Sequence, residues 1–231
     1  QYVDRIVTYT KDKKIFDIPT ICTQNGIQIN NIVVRKPKRK NDDNIHILAV
    51  AYMQKQHGYE RAIMGLANYY LTGGTRNIII HMVGEGPEVP KYKKLVDKYG
   101  LQEHVVFLGK KLGKELDEQY DECPIALGVF GGYKNKLNEI SSLKTREYLA
   151  KGTAIISGIN EDVLERHPMP FFLKFPNDSS PIDMKRVVDF FDDIFGAYEE
   201  KEVIDQIRTY AEKYVGMDQA LNKVIHYCHN A

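Results

Sequence analysis

The densest concentration of chemistry-bearing side chains lies between Gly128 and Gly158. An apolar run ends in Gly131 and Gly132, a polar loop follows, and Ser141 and Ser142 stand where a helix should begin. Serine is a good N-cap residue. The unpaired amides of a first helical turn form an anion site together with the positive end of the dipole. Lys144 adds a full positive charge in that turn. A cation there opposes the dipole, so helix stability does not account for it, whereas a bound phosphate does. A plainly solvent-exposed lysine is the alternative. Glu139 precedes the helix and Glu147 lies more than one turn inside it, with seven residues between them. Carboxylates so placed flank a ligand whose phosphates meet the helix start, because they accept hydrogen bonds from paired hydroxyls, as ribose sites do. Taken alone the spacing says little, since glutamates are abundant and usually exposed.

These side chains need a frame. Six short apolar runs rich in β-branched residues recur along the chain, at 45–51, 77–84, 105–109, 125–130, 153–158 and 171–175. Most are continuous rather than alternating, as strands buried on both faces are. Helical patterns fill the intervals. In 57–71, Ala62, Ile63, Leu66, Ala67 and Tyr70 recur at three and four. Helices are also expected over 90–99, closed by Gly100, over 114–122, and over 142–151, stopped by Gly152. The last third reads as helices 182–198 and 202–229. Strand and helix in alternation predict an α/β fold: a Rossmann-like, doubly wound parallel sheet of about six strands with helices on both faces. Ligands of such sheets bind outside the carboxyl ends of the strands.

The first forty residues fit this alternation less well. Strands are expected at 5–9 and 20–23, Asn25-Gly26 is a turn signal, and the charged run 35–44 reads as a linker. That run has no interleaved aromatics, so a solvated segment is favoured over a nucleic-acid patch. The chain has 231 residues, a net charge of +1 and 27% charged residues, a balance that calls for neither nucleic acid nor a membrane surface. It contains no apolar run long enough to span a bilayer, no signal-peptide pattern and no internal repeat. Cys22, Cys123 and Cys228 show neither zinc nor disulfide spacing and are expected to be buried thiols in a reducing cytoplasm. The chain begins with Gln1 rather than Met, as a piece of a longer protein would.

The segment from Glu139 through Glu147 and Gly152 to Ser157 resembles the signature of family 4 glycosyltransferases with the GT-B fold: a Glu-x7-Glu pair, then a small residue, then Gly opening a strand. Further resemblances follow in order: Asn25-Gly26, like the turn ending the acceptor domain; Gly84-Glu85-Gly86-Pro87 after a strand, read here as structural; and the strand ending at Gly109, before the loop that cups the base. The resemblance implies that Glu139 contacts donor-sugar hydroxyls as the catalytic-site residue. It implies that Glu147 holds the ribose and that the backbone of Ser142 and Leu143 binds the diphosphate. Two cations usual in the family are altered. Its Gly-Arg and Lys-Gly positions are here Ala51-Tyr52 and His57-Gly58. His57, a partial cation near neutral pH by its type, is expected either to stand near the phosphates or to be a plain helix-start residue, with Lys55, Arg61 or, by preference, Lys144 compensating for the altered cations.

The resemblance implies residues 1–35 as the end of an acceptor domain plus linker, and 36–231 as the donor-binding domain. It implies transfer of a sugar from a UDP- or GDP-linked donor to a hydroxyl, with retention of configuration and with neither metal nor cofactor. The partners implied are the donor and a missing N-terminal acceptor domain, without nucleic acid. The protein is expected in the cytoplasm, with any membrane association supplied by the missing part and with helix 202–229 reaching back to the first domain. The His57-Gly58-Tyr59-Glu60-Arg61 run resembles enzymes of bacterial surface polysaccharide assembly. A nucleotide-binding module without activity and an epimerase of the same architecture remain as alternatives.

Overall fold

The computed structural model describes residues 3–9, 11–38 and 44–230, so residues 39–43 of the expected linker lie outside the described residues. A small sheet opens the chain, formed by β1 (Ile6–Thr8), β2 (Lys14–Ile15) and β3 (Ile18–Cys22) in the order β1-β3-β2. Strands and helices then alternate: β4 (Ile45–Val50), α1 (Glu60–Leu71), β5 (Ile78–Val83), α2 (Val89–Tyr99), β6 (Val105–Gly109), α3 (Lys114–Glu122) and β7 (Ile125–Leu127). After β7 come β8 (Glu139–Ile140), α4 (Leu143–Lys151), β9 (Ala154–Ser157), β10 (Asn160–Glu161), α5 (Asp162–Arg166) and β11 (Phe172–Lys174). Three helices close the chain: α6 (Met184–Ala197), α7 (Glu200–Tyr214) and α8 (Met217–Asn230).

The six expected strands form one sheet in the order β11-β9-β7-β4-β5-β6, every pair parallel. Chain order runs outward in both directions from β4 and β7, so the topological switch point of a doubly wound fold lies between those two strands. Their residues Ile45, Ile47, Leu48, Ile125, Ala126 and Leu127 are fully buried, which explains why the runs are continuous rather than alternating. α1 packs with α2 and α6, and α4 packs with α7.

The two connections at the switch are stitched together. Phe130 N donates to His57 O (2.9 Å) and Gly131 N to Gln56 O (3.0 Å). This contact needs Gly58: its φ is +64°, and a Cβ there would lie 2.5 Å from Gly131 N. For the same reason α1 starts at Glu60 and not at 57. Lys55–His57 form a 3-10 turn that the left-handed Gly58 terminates.

Three expectations are corrected. The helix expected over 202–229 is two helices. Ile27 intrudes at their junction, donating to Val215 O (3.1 Å) and accepting from Met217 N (2.9 Å), which diverts the ladder at Gly216. The cysteines are free, but only Cys123 is buried; Cys22 is half-buried, and Cys228, on the exposed side of α8, is open to solvent. The run starting at residue 35 is not loose at its start. Arg35 is buried, donating to Gly152 O (3.0 Å) and to Glu200 (2.6 Å).

Candidate functional site

The site grows from the carboxyl ends of β4 and β7 and from the start of α4. Ser142 is the N-cap of α4, and its Oγ accepts from Thr145 N (3.2 Å). The amides of Leu143 and Lys144, the first two in the helix, have no intrahelical acceptor. Asn25 N donates to Ser141 Oγ (2.9 Å), so the Asn25-Gly26 turn braces the approach to this helix.

Lys144 does not extend into solvent. Its Nζ turns back beneath the helix start and donates to Gly128 O (2.9 Å), just past β7, and to Tyr59 OH (2.8 Å). Burial lowers its pKa to about 7, with Glu161 pulling the other way. Tyr148, on the next turn of α4, accepts from Val50 N (3.3 Å) and donates to Leu127 O (3.3 Å), tying the ends of β4 and β7 to the helix.

His57 faces the same region. Its Nδ1 accepts from Gln54 N (3.0 Å), so its proton sits on Nε2. Burial, then the nearby Lys144 charge, lowers its pKa to about 3. The ring is a neutral donor here, not the partial cation expected from its type.

The two glutamates are held by different means. Glu147 is half-buried and accepts from Tyr120 OH (3.0 Å), which fixes it to α3, the helix after the Gly109–Gly113 connection. Glu139 sits on β8, pairs with Lys11 (2.9 Å) and lines a groove with Tyr9, Thr23, Ser141 and Arg166. The β8–β10 pairing, with Glu139 opposite Asn160, sets its position.

Arg61 is not brought to the site with free donors, which corrects its expected role. It is 1% exposed, and its guanidinium donates to Phe130 O (3.0 Å), Pro176 O (3.0 Å) and Ser180 O and pairs with Asp178 (3.4 Å). It is a buried brace between α1 and the segment before α6. Tyr52 is exposed at the end of β4. Gly84 and Gly86 press against Ala51 and Met53, a packing role matching their structural reading. Among the described residues, no group of three or more His, Cys, Asp or Glu side chains is placed to hold a metal ion.

A sequence model of the family described as "Glycosyl transferases group 1" matches residues 31–161, more than half of the chain. The chain belongs to this family. No curated protein matches it in sequence. Among solved structures it is similar to a glycosyltransferase from Rickettsia africae ESF-5, with 15% identity, a TM-score of 0.68, and coverage of 95% of this chain and 59% of that one. It is also similar to Anabaena Alr3699/HepE in complex with UDP, with 13% identity, a TM-score of 0.67, and 92% and 58% coverage. A third likeness is to sucrose-phosphate synthase from Thermosynechococcus elongatus, with 16% identity, a TM-score of 0.63, and 92% and 53% coverage. At such identities the likeness speaks for the GT-B fold. This group 1 glycosyl transferase chain spans under three fifths of each of these three neighbours. Among its described residues no helix is long and apolar enough to cross a membrane.

Sequence reasoning missed Tyr120, Tyr59 and the short β8–β10 pair. A tyrosine in an apolar stripe reads as core, and two-residue strands leave no periodicity.

Proposed function

We propose that this chain is the donor-binding part of a glycosyltransferase that moves a sugar from a nucleotide diphosphate to a hydroxyl. The observation that carries the reading is the placement of α4. Its capped start meets the switch point of the sheet, and Glu147 stands one turn further in, held by Tyr120. In this reading the diphosphate meets the backbone of Ser142 and Leu143, with the free amide of Lys144 beside them, and Glu147 takes the ribose hydroxyls. His57 Nε2–H donates to a phosphate oxygen. Glu139 exchanges Lys11 for hydroxyls of the sugar.

As the glycosidic bond breaks, the diphosphate gains negative charge. Fixed amides and the Lys144 ammonium oppose that charge without reorganising. We assign retention of configuration, independence of metal and a UDP- or GDP-linked donor on the family resemblance, and surface polysaccharide as the product class on the run from His57 to Arg61. The acceptor pocket belongs to a domain N-terminal to this one, consistent with the share of each neighbour that the chain spans. The free thiols suit a reducing compartment, and we place the chain in the cytoplasm.

Calorimetric titration with UDP, GDP and ADP tests this. One of them is expected to bind. Glu147→Ala should weaken it about 10- to 100-fold, the scale for a lost hydrogen bond to a charged group, and Lys144→Ala should weaken it as well. Binding left unchanged by Glu147→Ala would place the nucleotide elsewhere. Binding without sugar turnover in the full-length parent would favour a module that has kept the fold and lost the reaction.

A further inference from the structure

Beneath the start of α4 lies a carboxylate that no hydrogen bond satisfies. Glu161, in β10, is 0% exposed, and neither of its oxygens has a partner. The buried Thr145 hydroxyl lies beside it but outside hydrogen-bonding geometry. β10 runs parallel to β8 with Glu161 opposite Ile140, so the ribbon that carries Glu139 also fixes Glu161.

A buried carboxylate is costly unless a cation or a proton compensates it. Two cations are within electrostatic reach, Lys144 and Arg146. Arg146 is already engaged by Asp162 (2.8 Å), by Ser142 O (3.0 Å) and by Asn25 O. The contacts of Lys144, a phenol and a carbonyl, carry no charge. Among the described residues Lys144 is therefore the cation left for Glu161; no direct ion pair joins them, and the Glu161 charge acts on Lys144 through space.

We propose that Glu161 is a positioning residue of the donor site: without touching Lys144, its buried carboxylate sets how readily that amine holds its proton, and a diphosphate arriving at the start of α4 draws a further proton from solvent into the two groups. The proposal rests on the donor-site reading above. The proton adds to the Lys144 amine or to the Glu161 carboxylate, so the pair gains one positive charge as the dianionic ligand binds. Arg146 and Thr145 from α4, Asp162 from α5, and His57 and Tyr59 from the β4–α1 connection face the pair. Burial lowers Lys144 to about 7 and raises Glu161 to about 7, so both groups exchange protons near neutrality.

Two measurements on this chain test the pair. The first is an NMR titration of the lysine side chains without ligand, with Lys144→Met used to assign the signal. The second is calorimetry with whichever of UDP, GDP and ADP binds, from about pH 6 to about pH 8.5, in two buffers of different protonation enthalpy. In the parent chain Lys144 is expected to titrate near neutrality, binding to take up protons, and affinity to fall as pH rises through that range. In Glu161→Gln the loss of the counter-charge should move both the titration and the affinity profile down by about one pH unit, with affinity kept at the acid end. A merely structural role would lower affinity equally at every pH. That result, an unmoved Lys144 titration, or nucleotide binding by the parent chain without proton uptake would overturn the pair while leaving the donor site standing. Absence of nucleotide binding at any pH would overturn the donor-site reading itself, whatever Lys144 does. The parent titration and proton count need no folded Glu161 variant.

Discussion

Burial and a neighbouring ammonium keep His57 neutral, and this has a consequence for stability. Its folded pKa, about 3, lies below the usual 6.5, so the unfolded chain binds the extra proton between those values. The stability linked to His57 is therefore fully present above pH 6.5 and is lost as pH falls toward 3. Urea unfolding of the parent and of His57→Gln should show this. Relative to the variant, the parent is expected to lose up to ~1.4 kcal/mol per pH unit across that window. A constant difference between the two would refute it. Glu161 acts in the opposite sense. Its pKa is raised from 4.5 to about 7, so its contribution is present below 4.5 and is lost as pH rises to 7. At this scale residue type was a poor guide to charge. His57 was expected as a partial cation and Arg61 as a spare one, yet one is neutral and the other is consumed by carbonyls.

The elements were more legible. Continuous apolar runs marked all six strands of the sheet, because strands buried on both faces leave that trace. Ser142 and Gly152 marked both ends of α4, whose cap and left-handed stop form as their residue types suggest. The pairing of the loops after β4 and β7 was invisible, since its backbone bonds, Phe130 to His57 and Gly131 to Gln56, join segments far apart in the chain. Gly58→Ala tests that pairing. A Cβ at φ +64°, 2.5 Å from Gly131 N, should cost more than ~1 kcal/mol and weaken nucleotide binding as well. A variant as stable as the parent would mean that the switch region is looser than the geometry implies.

Across the whole molecule, buried side chains set out which parts need each other. No described residue before Ile29 is buried. Removing residues 1–24 is therefore expected to leave the urea midpoint nearly unchanged. Arg35, by contrast, ties the start of the charged run to Gly152 and Glu200 in the interior. Arg35→Met removes the ion pair with Glu200 and the hydrogen bond to Gly152 O and should cost about 1–3 kcal/mol. Urea unfolding of both variants checks the pair of predictions, and unfolding of the truncated chain would show that the small sheet is part of the cooperative unit. Leu221 and Ile225 remain exposed on α8, the part of the chain expected to face another domain.

The amino-acid sequence by itself determined the kind of fold, the order of its elements, the helix capped by Ser142 and the family. These depend on local periodicity, on glycines where φ is positive, and on cap residues, all properties of neighbours in the chain. Only the tertiary structure decided which of the charged groups are free. Arg61 is enclosed by carbonyls of distant segments, Lys144 folds back onto β7, Ile27 breaks the last helix, and Glu161 is sealed beneath α4. The physical reason is common to all four. Desolvation and hydrogen-bond partners are supplied by residues far along the chain, and the spacing of types carries no record of who will surround them.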